Sequence, residues 1–107
     1  MHRGEIWWAK LPAPVGRRPV LLLSRDAAYR VRKSVTVAAV TRTIRNIPVE
    51  VPLDMEDGMA EKCVVNLDDI MTIPKPLLTE RITTLSKDKM ALVSRAISFA
   101  LHIEREG

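Results

Sequence analysis

The feature that most constrains this chain is a change of hydrophobic period at Ser86. Before it, apolar residues come in short β-branched or alternating runs, each stopped by proline, glycine or a polar turn; after it, they recur every three or four residues. The strand-like runs follow one another with no room for the dozen or so residues that a crossover between parallel strands needs. The expected fold class is therefore mainly β: a small antiparallel sheet curled into a half-open barrel, followed by one C-terminal helix.

GEIWWAK (4–10) has strand composition, and a period of two sends Trp7 and Trp8 to opposite faces, one of them into the core. PAPVG is a turn. RPVLLLSR (18–25) is apolar along its middle and too short for a helix, which suits a strand covered on both faces. With the β-branched SVTVAAVT (34–41) it forms the expected central pair. IPVEVPL (47–53) alternates, but Pro48 and Pro52 cannot donate to a ladder, which puts the segment at a sheet edge or over a bend. CVVNLDDIMTI (63–73) reads as one strand interrupted near Asn66 to Asp69; a proline-bounded linker, IPKPLL, then leads to a short strand, RITTL (81–85). In SKDKMALVSRAISFALHI, Ser86 is the N-cap, Asp88 lies in the first turn, and apolar residues fall at 90, 93, 97, 100 and 101. A second stripe at 92, 96, 99 and 103 exceeds what one contact face needs. Its two readings are a second subunit packed on the outer side, giving a homodimer, and a helix sunk deeply in its own barrel.

At 107 residues the chain suits a single domain over 1–107, able to bury roughly two-thirds of its unfolded surface. A hydrophobic share of 47% with 28% charged residues excludes a disordered chain. No run approaches the ~18 apolar residues of a membrane span and no export signal is evident, so a cytoplasmic protein without membrane contact is expected. The lone Cys63 cannot bridge internally and, set in KCVVN, reads as a small core residue on a strand. The net charge of +4 is unevenly spread: residues 1–50 hold ten Lys/Arg against three Asp/Glu, and residues 51–107 hold seven against ten. The basic half suits a negative partner, of which nucleic acid is the commonest.

His2 and His102 have no ligand spacing to Cys63 or to each other, and the adjacent Asp68 and Asp69 diverge to opposite faces of a strand, so neither a metal site nor a cofactor is expected. Neither histidine is placed for a Ser/His/Asp or Cys/His mechanism, and the glycines are too scattered for a phosphate loop. Arginine and hydroxyl groups must then carry any chemistry. The proline after Arg18 drives that residue out of the α region, so Arg18 projects from the first residue of its strand. The paired strand ends in AAVTRT, which brings Thr41 and Arg42 to the neighbouring sheet end if the register matches. A guanidinium fork and a threonine hydroxyl together make an oxyanion clamp that fits phosphate. On spacing alone, the competing reading is that Arg17 and Arg18 are solvated loop residues and Thr41 a strand-end hydroxyl.

RGEIWWAKL, GRRPVLLLSRD, TVAAVT, IPVEVPL and VVNLDDIMTIPKPLLTERITTLS resemble, in order and spacing, the MazF/PemK toxin family, over essentially the whole chain. The resemblance implies an SH3-like barrel of the MazF/Kid/CcdB type, homodimeric, acting as the toxin of a type II toxin–antitoxin pair. Such a toxin is a metal-independent, sequence-selective endoribonuclease on single-stranded RNA such as mRNA. A cognate antitoxin, acidic and partly disordered before binding, holds it inactive. The arginine of the family's RPV motif is Arg18, and the threonine closing its third-strand motif is Thr41. The RNA's own 2'-hydroxyl attacks the adjacent phosphorus, leaving a 2',3'-cyclic phosphate and a 5'-hydroxyl, so the protein need only stabilise charge and manage protons.

Arginine holds its proton too tightly to be a base, so Arg18 is assigned to charge stabilisation and acid duty, and the base stays open. Arg17, Arg42 and Arg45 are candidates for guiding the phosphate backbone, and Ile47 and Pro48 for lining a base pocket. Asp68 fits the family's acidic position, and Asp69 stands where relatives often carry an amide that contacts RNA. PAPVG is shorter than the family's Gly-Ser-Glu-Gln-type insertion, which leaves the lid contacts of that loop without a counterpart. Two other classes stay open on the sequence: a non-catalytic barrel toxin gripping a protein such as DNA gyrase, and a small basic nucleic-acid-binding module.

Overall fold

Six strands and two helices make up residues 1–104, which the computed structural model describes; positions 105–107 of the expected 1–107 domain lie outside them. The strands are β1 (Glu5–Lys10), β2 (Arg17–Leu22), β3 (Ser34–Thr41), β4 (Glu50–Leu53), β5 (Cys63–Pro74) and β6 (Leu78–Thr84). They form one antiparallel sheet in the order β4-β5-β3-β2-β1-β6. β2 and β3 are the central pair, as their uninterrupted apolar runs required, with Val20, Leu21 and Leu22 opposite Ala39, Ala38 and Val37. β4, shorter than the expected 47–53 segment and holding only Pro52 of its two prolines, is an edge strand. No ladder joins β4 to β6 among the described residues, so the curled sheet remains half-open.

Alternation along the strands sends side chains into two cores. On one face Ile6, Leu21, Ala38, Val40, Val65 and Leu67 meet Val93 and Ala96 of the terminal helix α2 (Lys87–Ala100). On the other, Val20, Leu22, Val35, Val37 and Ile73 meet Tyr29 of a short helix, α1 (Ala28–Val31). β2 is thus covered on both sides, and Val20, Leu21 and Leu22 are each 0% exposed.

Several boundaries differ from the sequence reading. β2 stops at Leu22 instead of Arg25, and the chain turns into α1, four residues too short to carry a helical period. β6 begins at Leu78 because the proline-bounded linker contracts to one 3-10 turn, Lys75–Leu77. Trp7 packs half-buried against the second core, which meets in part the expectation of one tryptophan in the core, and Trp8 is half-buried as well. The period of two itself holds along β1: Trp7 shares a core face with Ala9, away from Ile6, and Trp8 lines the cavity at the sheet end.

The interruption expected in β5 is a bulge: Ala38 faces Ile70 and Ala39 faces Asn66, so Leu67, Asp68 and Asp69 have no partner on β3. Asn66 Oδ1 accepts the Asp68 N–H at 2.9 Å, and the Leu67 N–H donates across to the Val49 carbonyl at 2.8 Å. Asp68 and Asp69 are both exposed within this bulge.

α2 starts where its cap predicts, with Ser86 Oγ accepting the Lys89 N–H at 3.1 Å. Ala96, assigned to the outer stripe, belongs to the buried one. Leu92, Phe99, Leu101 and Ile103 stay exposed, at 40%, 62%, 59% and 53%, so the helix is not sunk in its own barrel. Among the described residues, no helix is long and apolar enough to cross a membrane.

Candidate active site

The start of β2 is held on both sides. Ala9 and Lys10 of β1 pair with Arg18 and Arg17, and on the other flank β2 and β3 pair as far as Val20 and Ala39, just short of Arg18 and Thr41. Pro19 keeps the backbone before it extended, which aims the Arg18 side chain out from the strand end. Beside them, Thr41 pairs with Val64 at the beginning of β5, and this pairing carries the turn that precedes β5 to the same end of the sheet.

These contacts enclose a cavity of about 710 Å³ lined by Arg17, Arg18, Thr41, Arg42, Glu61 and Cys63 among others. Its guanidinium groups are held differently. Arg17 lies over the Trp8 ring, 4.0 Å from the centroid, and reaches Glu80 at 3.9 Å. Arg42 pairs with Glu61 at 3.2 Å. Arg18 has no carboxylate partner among the described residues, so its whole fork of donors is open to a ligand. Thr41 Oγ1 accepts the Thr43 N–H at 3.2 Å, which fixes the oxygen and leaves its O–H to donate. Burial, reinforced by Asp57, Glu61 and Asp54, pushes the Cys63 thiol up, so it is a neutral wall of the cavity.

Of the residues singled out in the sequence, Arg17, Arg18, Thr41 and Arg42 come together on this cavity. Arg45, Ile47 and Pro48 do not line it; they sit on the loop between β3 and β4, where Glu50 Oε1 accepts the N–H groups of Arg45 and Asn46 at 2.9 and 3.0 Å. Asp68 and Asp69 stand apart from it as well, in the β5 bulge. Trp8, Thr43 and Glu61 line the cavity without having been picked out beforehand. Glu61 carries no local signal, since only the Thr41–Val64 pairing brings its turn to Arg18. No group of three or more His, Cys, Asp or Glu side chains among the described residues could hold a metal ion.

A curled antiparallel sheet with one terminal helix and an arginine-and-hydroxyl cavity at its end defines a small barrel protein equipped to receive a phosphate. The family model described as PemK-like, MazF-like toxin of type II toxin-antitoxin system matches residues 2–101, and the chain belongs to that family. A curated relative, the probable endoribonuclease MazF5 of Mycobacterium tuberculosis, is 36% identical over 104 residues, covering 96% of this chain and 94% of its own. The solved Mycobacterium tuberculosis toxin MazF-mt6 superposes with a TM-score of 0.87 at 33% identity, covering 94% of this chain and 99% of that one. A mycobacterial endoribonuclease solved in complex with its cognate antitoxin superposes with a TM-score of 0.87 at 25% identity over 99% of both chains.

Proposed function

We propose that this chain is the endoribonuclease toxin of a type II toxin–antitoxin pair and cleaves single-stranded RNA in this cavity without a metal ion. One observation carries the reading: a guanidinium with no carboxylate partner among the described residues and a fixed threonine hydroxyl share a cavity at the end of two adjoining strands. Arg18 takes two oxygens of the scissile phosphate on its fork, and Thr41 donates to the phosphate as attack by the 2'-hydroxyl builds negative charge there. Arg17 and Arg42 hold the flanking backbone. Arg45, Ile47 and Pro48, with Asp68 and Asp69, extend the track along the β3–β4 loop and the bulge, where base preference is read.

The toxin works in the cytoplasm, as one domain and as a homodimer, its second copy covering Leu92 and Phe99 of α2 with Leu101 and Ile103 just beyond it. An acidic antitoxin, partly disordered until bound, occupies the arginine-lined end. The gyrase-gripping reading is not favoured, because the relatives named above are endoribonucleases and a protein-gripping surface has no need of a cationic clamp.

The test is incubation of the purified protein with long single-stranded RNA in EDTA. Fragments with 2',3'-cyclic phosphate and 5'-hydroxyl ends are expected. RNA left intact across several sequences overturns the function, and salt-sensitive binding without product reassigns the chain to nucleic-acid binding.

A further inference from the structure

Cleavage by an internal 2'-hydroxyl requires a group that removes its proton, and arginine and threonine cannot do so near neutral pH. Among the residues lining the cavity, two have side chains able to accept a proton when ionised, Glu61 and Cys63. Cys63 is 5% exposed, and burial keeps its thiol protonated. Glu61, by contrast, stands on the rim, its side chain 61% exposed and its Oε1 3.2 Å from Arg42 Nη1. Its charge is felt inside as well as at the mouth, because it is one of the carboxylates that raise the Cys63 thiol.

We propose that Glu61 is the general base of this cavity, taking the proton of the attacking 2'-hydroxyl while Arg18 and Thr41 hold the phosphate. The assignment rests on the endoribonuclease reading above. The 2' O–H bond breaks toward the Glu61 carboxylate as the 2'-oxygen forms its bond to phosphorus. The bond from phosphorus to the 5'-oxygen then breaks, and that oxygen leaves with the electron pair and takes a proton from water. Glu61 returns its proton to solvent, so none is gained or lost overall. Arg42 orients the carboxylate through their ion pair, and one oxygen remains outside that contact to accept the proton. Asp68 and Asp69 are not available for the role because they do not line the cavity.

The charged groups around Glu61 are Arg42 at the end of β3, Arg17 and Arg18 at the start of β2, its neighbour Lys62, and Asp54 and Glu56, which share a second, shallower depression with it. Asp57 faces the same corner through Cys63. The parent protein and Glu61→Gln are compared in EDTA across pH, on an ordinary RNA and on one whose 5'-bridging oxygen is replaced by sulfur, which leaves without protonation. In Glu61→Gln, kcat is expected to fall ~100-fold or more, with KM within about threefold. The acid limb of the parent's rate profile should vanish with it, and the defect should persist on the sulfur-bridged RNA.

Activity of Glu61→Gln within about threefold of the parent, or a loss confined to KM, overturns the assignment while the endoribonuclease reading stands. An acid limb that survives the substitution, or rescue by the sulfur leaving group, does the same, the latter by marking Glu61 as the acid. A parent protein that leaves RNA intact brings down the function itself, and the base with it.

Discussion

Arg17 and Arg18 are neighbours in sequence but are held in different ways. Stacking on Trp8 and the Glu80 contact fix Arg17 along the wall of the cavity, whereas Arg18 keeps its donors for a ligand. Arg18→Ala is expected to lower kcat by on the order of 10²–10³, as removal of an oxyanion donor does, with the melting temperature little changed. Retained cleavage would remove Arg18 from the site. Glu5 is the opposite case, a carboxylate 5% exposed that serves structure. Burial works against its ionisation, but hydrogen bonds from the Trp7 indole and the His2 amide, with the N-terminal charge and Arg81, outweigh it and hold the pKa below the ordinary 4.5. A carboxyl lowered on folding adds stability that is complete above its unfolded value and lost as the pH falls through the folded one. Below pH 4.5 the parent's melting temperature should therefore drop more steeply than that of Glu5→Gln. Parallel curves would show that Glu5 contributes nothing to the acid limb of stability.

At the scale of elements, the turn between β4 and β5 matters most, because it carries Met59, Ala60 and Glu61 to the cavity. It opens with a 3-10 turn, Met55–Asp57, capped by Asp54, and is closed by Gly58 at φ 93°. A Cβ on Gly58 would run into the Thr83 side chain, whose hydroxyl donates to the Asp57 carbonyl at 2.9 Å. Gly58→Ala should thus destabilise the protein by about 1–2 kcal/mol from the left-handed backbone alone, with the Thr83 clash added. Denaturant unfolding measures the loss, and an unchanged midpoint would mean that the turn relaxes at no cost. The other elements show where local pattern suffices. α2 begins at the serine that caps it, and β4 lies at the edge to which Pro52 confines it. Local pattern stops sufficing where β5 bulges between Asn66 and Ile70, because a bulge depends on the partner strand.

For the molecule as a whole, the exposed outer face of α2 predicts a homodimer at micromolar concentration by light scattering, and Phe99→Glu is expected to yield a folded monomer. A parent protein that is already monomeric would contradict this. The central β2–β3 pair, the edge position of β4, the start of α2 at its cap and the extended backbone at Arg18 were determined by the sequence alone, because side-chain period, caps and prolines act over a few residues. Their assembly into a cavity was decided only in three dimensions. Arg18 and Thr41 reach one cavity because β2 pairs with β3, and Glu61 joins them because β3 pairs with β5. Register and bulge are settled by how whole strands bury their faces against one another, a non-local balance that no short stretch of residues contains.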